Sequence, residues 1–262
     1  MLETNLVNQF YATHNEEERL EGKCGQIEFM TTMEYIHRYL KPGMRVLEIG
    51  AGTGRYSRTL AKEGYCVDAV ELVGHNIDLF RSKLDGEKVH IIQGNAVDLS
   101  MYDDETFDGT LSLGPMYHLF QDESKKRALE EAIRVTKRGG IIFVAYCMNE
   151  ATILQYSFQK GTLLDDMEKG LISADFHWTA NENDAFSLMR PAEIEALTKP
   201  YPIHRLGMIA TDGATRYMED AIRAMSDEVF RLYYRYHLSM CDRKDLIGAS
   251  NHVLDILQKG NL

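Results

Sequence analysis

The sequence predicts an α/β fold with a doubly wound, mostly parallel seven-stranded sheet and an antiparallel last strand. Three observations carry this. Strand-like apolar runs alternate with amphipathic helical stretches over about a hundred residues, the rhythm of a parallel sheet covered on both faces. A glycine-rich turn, LEIGAGTGRY at 47–56, follows the first of these runs. The longest apolar run, IIFVAYCM at 141–148, suits a buried strand and is far too short to span a bilayer.

The elements follow in order. Residues 1–25 are polar, with an acidic EEER knot at 16–19, and are expected to form an N-terminal arm. From Gln26 to Leu40, Phe29 or Met30, Met33, Ile36 and Leu40 recur at helical spacing, and KPG at 41–43 ends the helix. MRVLEIG (44–50) reads as a strand, RYSRTLAKEG (55–64) as a helix, CVDAVEL (66–72) as a strand and HNIDLFRSKL (75–84) as a helix. VHIIQG (89–94) and FDGTLSLG (107–114) are the next two strands. A charged helix from Glu123 to Lys137 is expected to break at RGG (138–140) before the fifth strand, IIFVAYC (141–147). RPAEIEALTK (190–199) starts like a helix with proline in its first turn. Residues 214–240 read as helical, and PIHRLGMIA (202–210) and NHVLDILQK (251–259) as closing strands. The chain is thus expected as a single domain over 1–262: a core at 26–147, insertions at 148–189 and 213–249, and closing elements at 190–212 and 250–262.

Bulk properties narrow the function. A net charge of −11 argues against a phosphate-neutralising surface and so against a nucleic-acid partner. The four cysteines form no CxxC pair and sit beside no histidine at zinc-finger spacing, so no metal is expected. They read as reduced thiols, with Cys66 and Cys147 buried in apolar runs. The N-terminal residues lack the basic-then-apolar pattern of a signal peptide, so a cytoplasmic location without a membrane partner is expected.

The glycine turn sets the ligand question. Gly50, Gly52 and Gly54 are spaced GxGxG, whereas a dinucleotide site asks for GxGxxG and a P-loop for GxxxxGK. Glu48, two residues ahead, repels a pyrophosphate and attracts an ammonium. Glu71 ends the second strand, where a carboxylate accepts the hydroxyls of a ribose. Asn95, just after the third strand, offers an amide oxygen to the exocyclic amine of a purine. An amino group, a ribose and a purine without a pyrophosphate describe S-adenosylmethionine.

The segment 26–147 resembles the core of the class I, Rossmann-like S-adenosylmethionine-dependent methyltransferases. LEIGAGTG resembles their first motif, VEL their ribose-binding acid and QGNAVDL their strand-three motif. FDGTLSLG with PMYHL resembles the strand-four region, and VTKRGGIIFVAY the segment leading into strand five. Two departures stand out: Asn95 replaces a common aspartate and keeps an acceptor, and Arg138 replaces a proline in the turn. The resemblance implies S-adenosylmethionine as cofactor, with S-adenosylhomocysteine as product. Glu48, Gly50, Ala51, Gly52, Gly54, Tyr56, Glu71, Leu72, Asn95, Ala96 and Leu113 are the expected cofactor-binding residues.

Methyl transfer from a sulfonium needs alignment and exclusion of water more than acid–base help. The acceptor is expected outside the carboxyl ends of strands four and five. GPMYHL (114–119) lies there, so His118 is the candidate base and Tyr117 the candidate orienting group. Gly-Pro-Met-Tyr lacks the polar first residue of the (Asn/Asp)-Pro-Pro-Tyr run found in enzymes acting on amide or nucleobase nitrogens. The insertions are expected to close over a small-molecule acceptor with an O, N or S nucleophile. His177 and Trp178 in the first insertion are candidates to line that space, and Tyr11 and Arg19 in the arm are candidates to close over the cofactor. An RNA methyltransferase and a non-catalytic S-adenosylmethionine-binding protein are the alternatives.

Overall fold

The computed structural model describes residue 7, residues 22–179 and residues 186–260. The calls on Tyr11, Arg19 and the acidic knot lie outside the described residues. Helix α1 (Lys23–Tyr39) leads into β1 (Arg45–Ile49), α2 (Arg55–Lys62), β2 (Cys66–Glu71), α3 (Gly74–Ser82), β3 (Val89–Gln93) and β4 (Phe107–Ser112). A 3-10 turn at Pro115–His118 precedes α4 (Asp122–Val135) and the long β5 (Thr136–Met148). Then come α5 (Asn149–Thr152), a π-helical turn at Ile153–Phe158, α6 (Leu163–Glu168) and the two-residue β6 (Leu188–Met189). Helix α7 (Pro191–Thr198), β7 (Ile203–Ala210), α8 (Glu219–Ala224), α9 (Asp227–Leu238) and β8 (His252–Lys259) follow.

The sheet has the order β3-β2-β1-β4-β5-β8-β7, with β6 added beside β5 to make eight strands. Strands β1 to β5 pair in parallel, and β8 runs antiparallel to both β5 and β7. The eighth strand was not expected. It pairs with Cys147 and Met148, beyond the point where β4 ends its pairing at Val144.

Alternation along the strands divides the core in two. Leu47, Ile49, Ile142 and Val144 face α4, with Leu129 and Ala132 beneath them. Val46, Ile141 and Phe143 face the other way, against Met33 and Ile36 of α1 and Leu60 of α2. Glu48 and Leu254 fall on this second face by the same alternation, the first on β1 and the second on β8.

Two local expectations are corrected. The strand expected from residue 141 begins at Thr136, directly from the end of α4. RGG is absorbed as an irregularity: Phe107 pairs with Thr136, but Gly109 already pairs with Ile141. Gly139 takes φ +72° within it, a conformation that suits glycine. The expected buried Cys66 is exposed, because it is the first residue of β2 at the open end of the sheet, whereas Cys147 is buried.

The second insertion packs onto α1. Ile222 of α8 and Phe230 of α9 join Cys24 and Ile27 of α1 in one apolar cluster, with Tyr233 and Tyr234 beside it. Among the described residues, no helix is long and apolar enough to cross a membrane.

Candidate active site

A cavity of about 310 Å³ opens where the carboxyl ends of the parallel strands meet α1. The glycine turn, the end of β2 and the 3-10 turn after β4 all border it. This is the crevice where open α/β sheets hold ligands.

The three glycines of the turn have three different reasons to be glycine. Gly50 makes room for the next loop, since a Cβ there would lie 2.8 Å from Pro115 Cδ. Gly54 makes room for α3, since its Cβ would fall 2.1 Å from the Phe80 ring. Gly52 is different: it has φ +55°, and among the described residues beyond its chain neighbours no atom lies within 4 Å of where a side chain would go. Gly50 and Gly52 border the cavity, with Ala51 between them. Gly54 stands behind them and does not border the cavity. It caps α2 in the left-handed conformation instead.

Glu48 is fully buried and looks inward. Its Oε2 accepts from the Ser57 backbone N–H at 2.9 Å and from the Ser57 hydroxyl. It therefore satisfies an otherwise unpaired donor in the first turn of α2. Burial, with the nearby Glu71, pushes its carboxyl up to about 8 even though Ser57 pulls the other way. The expected attraction of an ammonium to an ionised Glu48 is thus weakened, although the residue does border the cavity.

Glu71 is held firmly. Its Oε2 accepts from Gly52 N–H at 2.7 Å, and its Oε1 from Val73 N–H at 2.8 Å and Asn76 Nδ2 at 3.4 Å. Burial raises its pKa, and these donors oppose that rise. A carboxylate has about four lone-pair sites, so these three donors leave acceptor capacity for one more hydroxyl. Leu72, Ala96 and Leu113 border the cavity. Asn95 borders it too, but its Oδ1 accepts from Val97 N–H at 3.2 Å in an Asx turn. That bond uses one of the two lone pairs on the amide oxygen and leaves the other for a purine amine. Tyr56 borders the cavity and packs on Phe29, ring centroids 4.9 Å apart.

Tyr117 and His118 meet the cavity from the 3-10 turn. The Tyr117 hydroxyl donates to Leu113 O at 2.9 Å, which fixes the ring. His118 packs between Tyr117 and Phe186, with centroids at 4.8 and 5.2 Å. The first insertion supports this pair from behind: Ser187 N–H donates to Tyr117 O at 2.7 Å, and Trp178 packs in the same apolar cluster. His177 is tied to Glu193 at 2.9 Å. Neither His177 nor Trp178 borders the cavity, and no described residue of 148–189 or 213–249 does.

Sequence reading missed the opposite wall. Glu28 and Thr32 of α1, Thr211 after β7, and His252 and Leu254 of β8 all border the cavity. His252 Nδ1 lies 2.8 Å from Oδ2 of the fully buried Asp212 and 3.5 Å from Glu28 Oε2. Burial pulls the His252 pKa down, but Glu28, Cys147 and Asp212 outweigh it and hold the imidazole well above its ordinary value. Burial pushes Asp212 up, and the charge and hydrogen bond of His252 reverse that, leaving its carboxyl low. Their donor atoms lie within 4.8 Å of one another, as a divalent cation would need, but such an ion would have to replace the Asp212–His252 hydrogen bond. Glu28 sits in a helix that reads as amphipathic and His252 in a strand that reads as alternating, and 224 residues of sequence separate them. The only sequence signal is a His at the start of a strand whose partner strand is followed by Thr-Asp-Gly.

A parallel sheet of this order, with a tight glycine turn after β1 and an acid at the end of β2, defines the class I, Rossmann-like S-adenosylmethionine-dependent methyltransferases. Residues 46–140 match the family described as a methyltransferase domain. Among curated relatives, a demethylmenaquinone methyltransferase of Clavibacter sepedonicus is 35% identical over 104 residues, 39% of this chain and 40% of that one. A cypemycin N-terminal methyltransferase of Streptomyces is 35% identical over 109 residues, 41% of this chain and 43% of that one. The chain spans about two fifths of the length of these relatives. The solved structure of a possible histamine N-methyltransferase from Thermotoga maritima aligns with TM-score 0.58 at 17% identity, over 98% of this chain and 99% of that one. The putative methyltransferase solved with the Haloferax volcanii Trm112 activator aligns at 0.62 and 15%, over 97% and 98%. At such identities the likeness concerns the fold.

Proposed function

We propose that this chain transfers a methyl group from S-adenosylmethionine to a small-molecule acceptor. One observation carries the reading: a single cavity joins the glycine turn and Glu71 on one side to Tyr117, His118, Thr211 and His252 on the other. The cofactor, when bound, supplies an electrophilic methyl on a sulfonium. Glu71 accepts a ribose hydroxyl, and the backbone of Gly50, Ala51 and Gly52 approaches the methionyl part. Leu72 and Ala96 flank the base, with Asn95 beside it. The open space at Gly52, where a side chain would meet none of the described residues beyond its chain neighbours, supports this fit. Tyr117 and His118 position the acceptor and exclude water.

The net charge of −11 disfavours a nucleic-acid substrate. The relatives named for a quinone acceptor add a carbon nucleophile to the O, N and S classes. The test is a screen for S-adenosylhomocysteine release with phenols, quinols, amines and thiols. Release with one class supports the reading. S-adenosylmethionine binding without turnover on any class would favour a non-catalytic binding protein.

A further inference from the structure

We propose that His252 is the base that takes the acceptor's proton, through Nε2, while Asp212 and Glu28 hold the imidazole from the other side. The inference rests on the methyl-transfer reading and deepens it. The Asp212 carboxylate is itself fixed: its Oδ1 accepts from the Ser250 hydroxyl at 2.6 Å and from the His252 backbone N–H at 3.1 Å. Its Oδ2 takes Nδ1 at 2.8 Å. A carboxylate on Nδ1 selects the tautomer whose Nε2 is the free acceptor. His252 borders the cavity, with the Tyr117 ring 6.5 Å away. An orienting carboxylate, an imidazole and an open substrate space are the parts of a positioned general base.

The parts come from three distant segments. Glu28 lies on α1, Asp212 follows β7, and His252 opens β8, so only the closed sheet brings them together. Cys147 of β5 and Tyr117 of the 3-10 turn also face the ring, and His237 of α9 stands near Asp212. In the step, the acceptor's electron pair forms the bond to the methyl carbon as Nε2 takes the acceptor's proton. The carbon–sulfur bond breaks and its electrons stay on sulfur. The sulfonium charge is replaced by an imidazolium charge between two carboxylates, and the proton then leaves to solvent.

Two measurements test this. The first follows S-adenosylhomocysteine release with a naphthoquinol, a phenol, an amine and a thiol as probes. His252→Gln should bind S-adenosylmethionine as the wild type does and lose about 100-fold or more in kcat. The wild-type rate should rise with pH to a plateau, and Asp212→Asn should move that rise to lower pH. The second follows histidine ring resonances by NMR in the S-adenosylhomocysteine complex. The His252 midpoint should lie above that of an exposed histidine and fall in Asp212→Asn, and by less in the milder Glu28→Gln. Wild-type kcat in His252→Gln, or a midpoint that neither carboxylate variant moves, overturns the proposal. If cofactor binds but no probe turns over, the methyl-transfer reading fails, and the NMR arm still decides whether the carboxylates poise His252.

Discussion

Glu48 and Glu71 show how two acids 23 residues apart divide their work. Both are buried, and both are bonded to the backbone of the glycine turn or the helix after it. Glu71 borders the cavity with about one lone-pair site left, whereas Oε2 of Glu48 is spent on Ser57 of α2. The raised folded pKa of Glu48 means that the folded state holds its proton more tightly than the unfolded chain does. Its stabilising contribution is therefore present below the ordinary carboxylate range and is lost as pH rises from about 4.5 through about 8. Glu48→Gln keeps an acceptor for Ser57 and removes that dependence. The melting temperature of the variant should gain on wild type as pH rises toward 8 and then hold level, in scanning calorimetry from pH 5 to 9. A gap that does not change with pH would mean that Glu48 stays ionised. Gly52→Val should abolish S-adenosylmethionine binding, because it forces a β-branched residue to φ +55° and fills the cavity beside it. Retained binding would place the cofactor elsewhere.

At the scale of elements, the glycine turn is a junction of three packings. Gly54 belongs to the α2–α3 contact, so Gly54→Ala should damage folding before binding. A Cβ 2.1 Å from Phe80, at φ +79°, costs about 2–4 kcal/mol through strain and overpacking. Urea unfolding would show this as a lower midpoint, and an unchanged midpoint would mean that Phe80 simply moves. The 3-10 turn at Pro115–His118 and the first insertion form a second unit. Ser187 and Phe186 brace Tyr117 and His118 from outside the cavity. His118→Ala should cut turnover while leaving cofactor affinity intact, once an acceptor is known. Equal rates would leave His118 as packing alone.

For the whole molecule, what could be read from the sequence was whatever lies close together along it. The strand–helix rhythm located β1 to β4 within a few residues, because β1, β2 and β4 are largely buried on both faces and the helices between them show their stripes. Leu47 to Tyr56, Glu71 and the 3-10 turn were legible for the same reason. β6 was not, since two residues carry no periodicity. Nor was the early start of β5, where a bulge hides the pairing of Thr136 with Phe107. The Asn95 side chain could serve a purine or an Asx turn, and only the backbone settles that Oδ1 goes to Val97. Glu28, Asp212 and His252 escaped because no local pattern links a helix at one end of the chain to strands at the other. The antiparallel closure of β8 on β5 puts His252 opposite Cys147 and thus at the cavity's rim.

The central claim is that this cavity binds S-adenosylmethionine with Glu71 on the ribose. Calorimetric titration of S-adenosylmethionine into the wild type and Glu71→Ala tests it most directly. The account predicts one cofactor per chain, bound at least about tenfold more weakly by the variant, because a buried acceptor for a ribose hydroxyl is lost. Equal affinity in the two proteins, or no binding by the wild type, would contradict it.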